Sequence, residues 1–308
     1  AGRINEILSF HSSLPPEERL NSPKLCFGME IQKTSDTVLK KLTEGEALVF
    51  GLLTDSHYVV NGTWGDTLAN ISAVNDRVGF DGLIHLGDLQ DGMLDKKMCR
   101  RIATKCISDM RHICEPLYMT IGNHDTNYFK GNTEWLTEAE QYGLYGRFMD
   151  NYVCREKQNG WYYVDYSKHG LRMIFLSSFN HREELRYGFP EEEIFWIKRV
   201  LKATPSNYKV LIFSHDAPLE ELDYWASDIR NGEALMNVLE AYHNMQGHCI
   251  LGYIHGHTHA DCVYLGRSFP IISIGCSKCE YFPDKKPEKS IRYERKPDTV
   301  TQDLWDVL

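Results

Sequence analysis

The chain has 308 residues, 42% apolar and 25% charged, a composition that fits a globular fold with a sizeable core and excludes a disordered or low-complexity one. Its formal charge of −9 counts against a broad footprint for duplex nucleic acid, yet permits an anionic substrate, because divalent cations can dominate the field inside a cleft. No apolar run approaches the ~18 residues of a membrane span, so no membrane contact is expected.

Residues 1–46 read as an N-terminal extension. They carry a short amphipathic run (Ile4, Ile7, Leu8), a break at Pro15 and Pro16, an expected strand over 25–31, and a linker. Residues 1–10 lack a basic stretch followed by an apolar core, so no secretory signal is read there. Nine scattered cysteines, an odd number, fit reduced thiols and a cytoplasmic location better than a disulfide framework. Cys276-Ser277-Lys278-Cys279 is a lone C-x-x-C with no second Cys pair.

From Ala47 the pattern changes, and residues 47–308 read as one main domain. Apolar runs predict strands over 47–53, 83–86, 117–121, 210–213 and 249–254, each nearly continuous, as in strands covered on both faces. Helices are predicted over 66–78 and 95–114; the latter places Met98, Ile102, Cys106, Met110 and Ile113 on one stripe. The aromatic-rich stretch 126–160 reads as a cap-like insertion with a helix over 138–149. Strands over 161–166 and 171–176 flank a turn at 167–170. Pro190, taken as the first helical residue before Glu191, Glu192 and Glu193, opens a helix to about 203; another spans 233–244. A late strand is expected over 270–274, and 301–308 alternates like one more.

Five of these strands run into side chains able to bind metals: Asp55 and His57; Asp88; Asn123 and His124; His215; and His257 and His259. Sites in open α/β sheets assemble at the carboxyl ends of strands. Taken singly, each has an ordinary reading: an Asp after a strand caps a turn, Asn-His-Asp makes one, and a lone His is a satisfied polar residue. Five together do not. In the last segment, alternate residues point the same way, so His257 and His259 can face one side while Gly256 permits close backbone approach.

The ordered pattern Asp55-x-His57, Gly87-Asp88-x-x-Asp91, Gly122-Asn123-His124-Asp125, His215, Gly256-His257-x-His259 resembles the calcineurin-like metallophosphoesterase superfamily. The resemblance spans residues 55–259. It implies a four-layer α/β/β/α sandwich with two divalent transition-metal ions (Mn, Fe or Zn) in its cleft. One ion would be held by Asp55, His57, Asp88 and His259, the other by Asp88, Asn123, His215 and His257, with Asp88 bridging. His124 resembles the family's catalytic histidine, and Asp91 the carboxylate that orients it. Gly92 stands where the serine/threonine phosphatases of the superfamily carry arginine, a departure that counts against a phosphoprotein substrate.

The residue types suit that chemistry. Paired divalent ions need one short anionic bridge, and imidazoles with carboxylates favour Mn, Fe or Zn. The expected activity is hydrolysis of a phosphomonoester or phosphodiester, of small size, by a hydroxide between the ions. A nuclease or cyclic-nucleotide phosphodiesterase is the alternative within enzymes; an inactive scaffold is the alternative outside them, and the complete ligand set weighs against it. The 126–160 segment, the loop around Asn180, His181, Arg182, Arg186 and Tyr187, and Tyr58 are candidate walls for a leaving group, or else pack a cap on the sandwich.

Overall fold

Two sheets meet face to face in the computed structural model, which describes residues 22–59, 62–129, 131–223, 225–226, 228–280 and 294–308. In the first sheet, β1 (Phe50–Leu53), β2 (Gly82–His85) and β3 (Leu117–Met119) run parallel. The second has β4 (Tyr162–Tyr166), β5 (Leu171–Phe175), β6 (Lys209–Phe213), β7 (Ile250–His255), β8 (Cys262–Tyr264) and β9 (Ile271–Ser273) in the order β4-β5-β6-β7-β9-β8. Its strands β5, β6, β7 and β9 are parallel; β4 and β8 close the edges antiparallel. The first sheet ends in β10 (Asp306–Val307), antiparallel to β1, so the alternation read over 301–308 narrows to one short edge strand.

Helices α1 (Gly28–Glu44), α2 (Trp64–Val78) and α3 (Lys96–Ile113) belong to the side of the first sheet; α4 (Glu138–Gln141) is a short piece of the insertion; α5 (Glu191–Lys202) and α6 (Gly232–His243) cover the second. Side chains alternate along β5 and β6 between two cores. Met173, Phe175, Leu211 and Phe213 join the core shared with the first sheet, whereas Ile174, Val210 and Ile212 join the core under α5 and α6. That period of two makes the four-layer α/β/β/α sandwich. The stripe read on α3 is buried in full, and the Asp95 carboxylate caps the helix by accepting from Met98 N at 2.9 Å.

An aromatic stack joins the sheets. Phe175 lies parallel to Tyr162 and Phe213, with centroids 4.7 and 4.8 Å away, and stacks on Tyr118 at 5.5 Å. The Tyr162 hydroxyl accepts from Met119 N and donates to Met119 O, both at 2.9 Å, which fixes the end of β3 against the second sheet.

Three expectations change. The strand read over 25–31 is a 3₁₀ turn (Leu25–Phe27) leading into α1, and most of the expected linker is that helix. Phe27, Ile31 and Ser35 are the buried positions, a spacing of four that marks a helix; Phe27 and Ile31 pack on Val74 of α2. The helix over 138–149 starts with a Thr137–Glu140 capping box, then passes through a π turn (Tyr142–Gly146) and a 3₁₀ turn (Arg147–Met149), where Gly143 and Gly146 weaken regular helix. Pro190 is the N-cap of α5, in an extended conformation, so Glu191 opens the helix instead. The run at Ile4, Ile7 and Leu8 lies outside the described residues. Among the described residues no helix is long and apolar enough to cross a membrane.

Tyr162→Phe leaves the Met119 N–H and carbonyl without their buried partner. A loss of about 1–3 kcal/mol is expected from the denaturant midpoint, with the slope of the transition unchanged.

Candidate metal centre

The carboxyl ends of β1, β2, β3, β6 and β7 converge on one edge of the sandwich, and all seven expected ligands stand there. Asp55, His57, Asp88, His257 and His259 have φ of 50°, 38°, 56°, 62° and 53°, a left-handed backbone that costs of order 1–3 kcal/mol per residue. Neighbouring loops hold these residues in place: Asp55 N donates to Gly87 O, His57 N to Asp88 O, and Gly256 N to His215 O, each at 2.9 Å. Gly256 is needed for close approach, since a Cβ there would collide with Thr54 Oγ1 and lie 2.6 Å from Asp55 Oδ2.

On one side of the cluster, His259 Nε2 lies 3.2 Å from Asp55 Oδ1 and 3.3 Å from His57 Nε2. Asp55 is fully buried; its Oδ2 accepts from Thr54 Oγ1 at 2.7 Å and His257 N at 2.9 Å, which leaves Oδ1 facing His259. On the other side, His215 Nε2 lies 3.4 Å from Asp88 Oδ2 and 3.1 Å from Asn123 Oδ1. His215 Nδ1 is 2.7 Å from Leu86 O and donates to it, which leaves Nε2 to face the cluster. Asp88 lies between, its Oδ2 also 3.6 Å from His57 Nε2 and 3.8 Å from His124 Nε2.

This donor set fits divalent cations. Asp55, His57 and His259 offer ligand atoms within 4.8 Å of one another, as do Asp88, His215 and His257. Buried carboxylates and imidazoles face one another here at spacings that cations would bridge, Asp55 Oδ1 toward His259 and Asp88 Oδ2 toward His215. Burial raises the Asp88 carboxyl, but His215 beside it prevails and holds it well below the usual range; burial lowers His215, but Asp88 overrides that and pushes it well up. Cations of similar reach would displace the protons those imidazoles otherwise carry.

His124 reaches the cluster from the loop after β3, but Asp91 meets it differently from the expected arrangement. His124 Nδ1 is 2.7 Å from the Asp91 backbone carbonyl, whereas the Asp91 carboxylate lies 3.2 Å from His57 Nδ1 and 3.5 Å from Lys278 Nζ. The main chain can come this close because residue 92 is Gly92, at φ 71°; a Cβ there would lie 2.7 Å from His124 O. An arginine does not fit this backbone.

Several neighbours have no role assigned by the motifs. Asp125, inside the third motif but given no role there, accepts from Asp88 N, Leu89 N and Gly122 N at 2.8, 2.9 and 3.0 Å, tying two ligand loops together. Glu280 pairs with His259 Nδ1. Asp216 and Asp223 face His257. At the rim, Phe129 packs on His124 and Tyr187 on His257, with centroids 4.3 and 5.1 Å apart. Beyond them His181 packs between Tyr128 and Trp135, with Arg186 and Arg182 over those two rings. Tyr58, an expected wall, instead packs edge-on against Trp64 with Lys105 over its ring.

A layered sandwich with buried carboxylates and imidazoles at its strand ends is an arrangement suited to holding divalent cations. The chain belongs to the calcineurin-like phosphoesterase family, whose model matches residues 48–261. Its fold is similar to that of a dimetal phosphatase from Danio rerio, at 16% identity and a TM-score of 0.56, covering 75% of this chain and 88% of that one. It is also similar to a purple acid phosphatase from yellow lupin (Lupinus luteus) seeds, at 13% identity and a TM-score of 0.52, covering 79% of this chain and 47% of that one. No curated protein matches the chain.

Asp125→Asn puts an amide NH₂ against backbone donors. It is expected to cost about 1–3 kcal/mol in thermal unfolding of the metal-free protein and to weaken metal uptake, read by calorimetric titration with Mn²⁺.

Proposed function

We propose that the chain is a two-metal phosphoesterase that hydrolyses a small phosphomonoester or phosphodiester. The observation that carries this reading is the convergence of seven potential ligands from five strand ends, with the buried Asp55 and Asp88 carboxylates facing the imidazoles of His259, His57 and His215. Asp55, His57, Asp88 and His259 would hold one cation, and Asp88, Asn123, His215 and His257 the other. Two such ions would supply Lewis acidity toward the phosphoryl oxygens and lower the pKa of bound water toward neutrality.

The protein's own contribution is positional. Asp88 is fixed on both sides: its N–H donates to Asp125, and its Oδ1 accepts from His124 N at 2.9 Å. Its second oxygen is thereby oriented to serve both ligand sets. His124 donates Nδ1–H to the Asp91 carbonyl and keeps Nε2 toward the cleft, beside the site of phosphoryl transfer. Burial lowers its pKa against the pull of Asp88, and Nε2 is the atom from which a proton would pass to a departing alkoxide. The aromatic rim of Phe129 and Tyr187 narrows the approach and favours a leaving group of limited size.

Purified protein is expected to carry two transition-metal ions per chain by elemental analysis after reconstitution with Mn or Zn. It is expected to hydrolyse p-nitrophenyl phosphate or its bis ester, with single-stranded DNA and cyclic nucleotides as comparison substrates. Failure to bind metal would sink the proposal. His124→Ala should lower kcat by about 10²–10⁴ with metal content retained; concurrent loss of metal would reassign this residue.

A further inference from the structure

Asp216 follows His215 at the end of β6 and belongs to no motif. It is fully buried, and neither carboxylate oxygen has a hydrogen-bond partner among the described residues. Its backbone is held instead: the N–H donates to Ser178 Oγ at 3.1 Å, and the carbonyl accepts from Ser214 Oγ at 2.5 Å and from the Tyr253 hydroxyl at 3.4 Å. The side chain is thus aimed by its main chain rather than by bonds of its own. It points at the second ligand set.

Asp216 Oδ1 lies 3.5 Å from His257 Nδ1 and 3.9 Å from His215 Nε2. That His215 nitrogen already stands 3.4 Å from Asp88 Oδ2 and 3.1 Å from Asn123 Oδ1. Donors bound to one ion at about 2.0–2.2 Å stand roughly 3–4 Å from one another, which is the spacing Asp216 keeps to these two imidazoles, and it shares His257 with Asp223 in a close group of its own. Behind the ring, Asp223 Oδ1 is fixed by Trp225 N and Ala226 N at 2.7 and 2.9 Å and lies 3.8 Å from His257 Nε2. Asp223 therefore faces one nitrogen of the ring and Asp216 the other. Burial raises the Asp216 carboxyl to about 8, so without a cation it would be held as the neutral acid, and a cation between it and the imidazoles would favour its charged form.

We infer that Asp216 is a fifth protein ligand of the second cation, an assignment that rests on the two-metal reading above. It makes the two positions chemically unequal. The first is built from two oxygens (Asp55, Asp88) and two nitrogens (His57, His259); the second gains a third oxygen, with Asp88, Asn123 and Asp216 beside His215 and His257. An oxygen-rich set of higher coordination favours Mn²⁺ over Zn²⁺, whose preference is four ligands.

The test is a calorimetric titration of metal-free protein with MnCl₂ and with ZnCl₂, with elemental analysis after dialysis. Wild type is expected to bind two Mn²⁺ per chain. In Asp216→Asn one Mn²⁺ site should weaken at least tenfold while the other keeps its affinity, and that site should shift its preference toward Zn²⁺. Asp216→Ala, which has no amide oxygen to coordinate, should show the larger loss. Two Mn²⁺ sites of wild-type affinity in both variants overturn the Asp216 assignment alone, whereas fewer than two in wild type overturn the two-metal reading itself. Three ions in wild type, the third lost in both Asp216→Asn and Asp223→Asn with the other two unaffected, would overturn the assignment in favour of a separate site.

Discussion

The placement of the Asp88 carboxylate is the constraint on which the rest of the cluster depends. Its backbone N–H and one of its oxygens are engaged by Asp125 and by the His124 N–H, and its carbonyl receives the N–H of His57. The residue therefore links the loops after β1, β2 and β3 while one oxygen remains turned toward His57, His124 and His215. A carboxylate so deeply buried has to be neutralised by something. Surrounding imidazoles can do so as imidazolium, and cations can do so with more charge in less space.

The aromatic stack explains why those loops meet the ones from the other sheet. Parallel strands of both sheets end on the same edge, and the stack of Tyr118, Tyr162, Phe175 and Phe213 fixes how far apart those ends lie. With the Tyr162 hydroxyl clamped on Met119, β3 cannot slide without breaking two buried hydrogen bonds. Rigidity here permits strain elsewhere. Five left-handed residues in the site loops persist because bonds such as that between His257 N and Asp55 Oδ2 determine their conformation from outside.

Much of this was legible in the sequence because the parallel strands are buried on both faces. Each is an apolar run that ends abruptly, so Asp55, Asp88, Asn123, His215 and His257 announced themselves by position. What stayed hidden lacks a periodic signal. β8 is three residues long with Val263 exposed, so no apolar alternation marks it. The N-terminal helix was masked by Leu25 and Phe27, whose alternation mimics a strand although Leu25 is wholly exposed. Asp223 and Glu280 act from loops, where side-chain direction is set by tertiary contacts. Asp91 was recognised as a site residue, but no pattern of residue types distinguishes a carboxylate that meets His57 from a carbonyl that meets His124.

The charge of the chain acquires a different meaning once the cleft is considered by itself. A net charge of −9 repels an anionic ester at long range, yet that repulsion is screened over about 8–10 Å in physiological salt. Inside the cleft, two divalent cations would set four positive charges against the carboxylates of Asp55, Asp88, Asp91, Asp216, Asp223 and Glu280, and would place that positive charge nearest the incoming phosphoryl oxygens. Exposed Arg182 and Arg186, lying over Trp135 and Tyr128, extend that positive character along the rim. Attraction for a phosphate ester is thereby confined to the cleft, where Phe129 and Tyr187 restrict what can approach. A long polynucleotide would need cationic contacts continuing beyond this rim, and the net charge of the chain works against them.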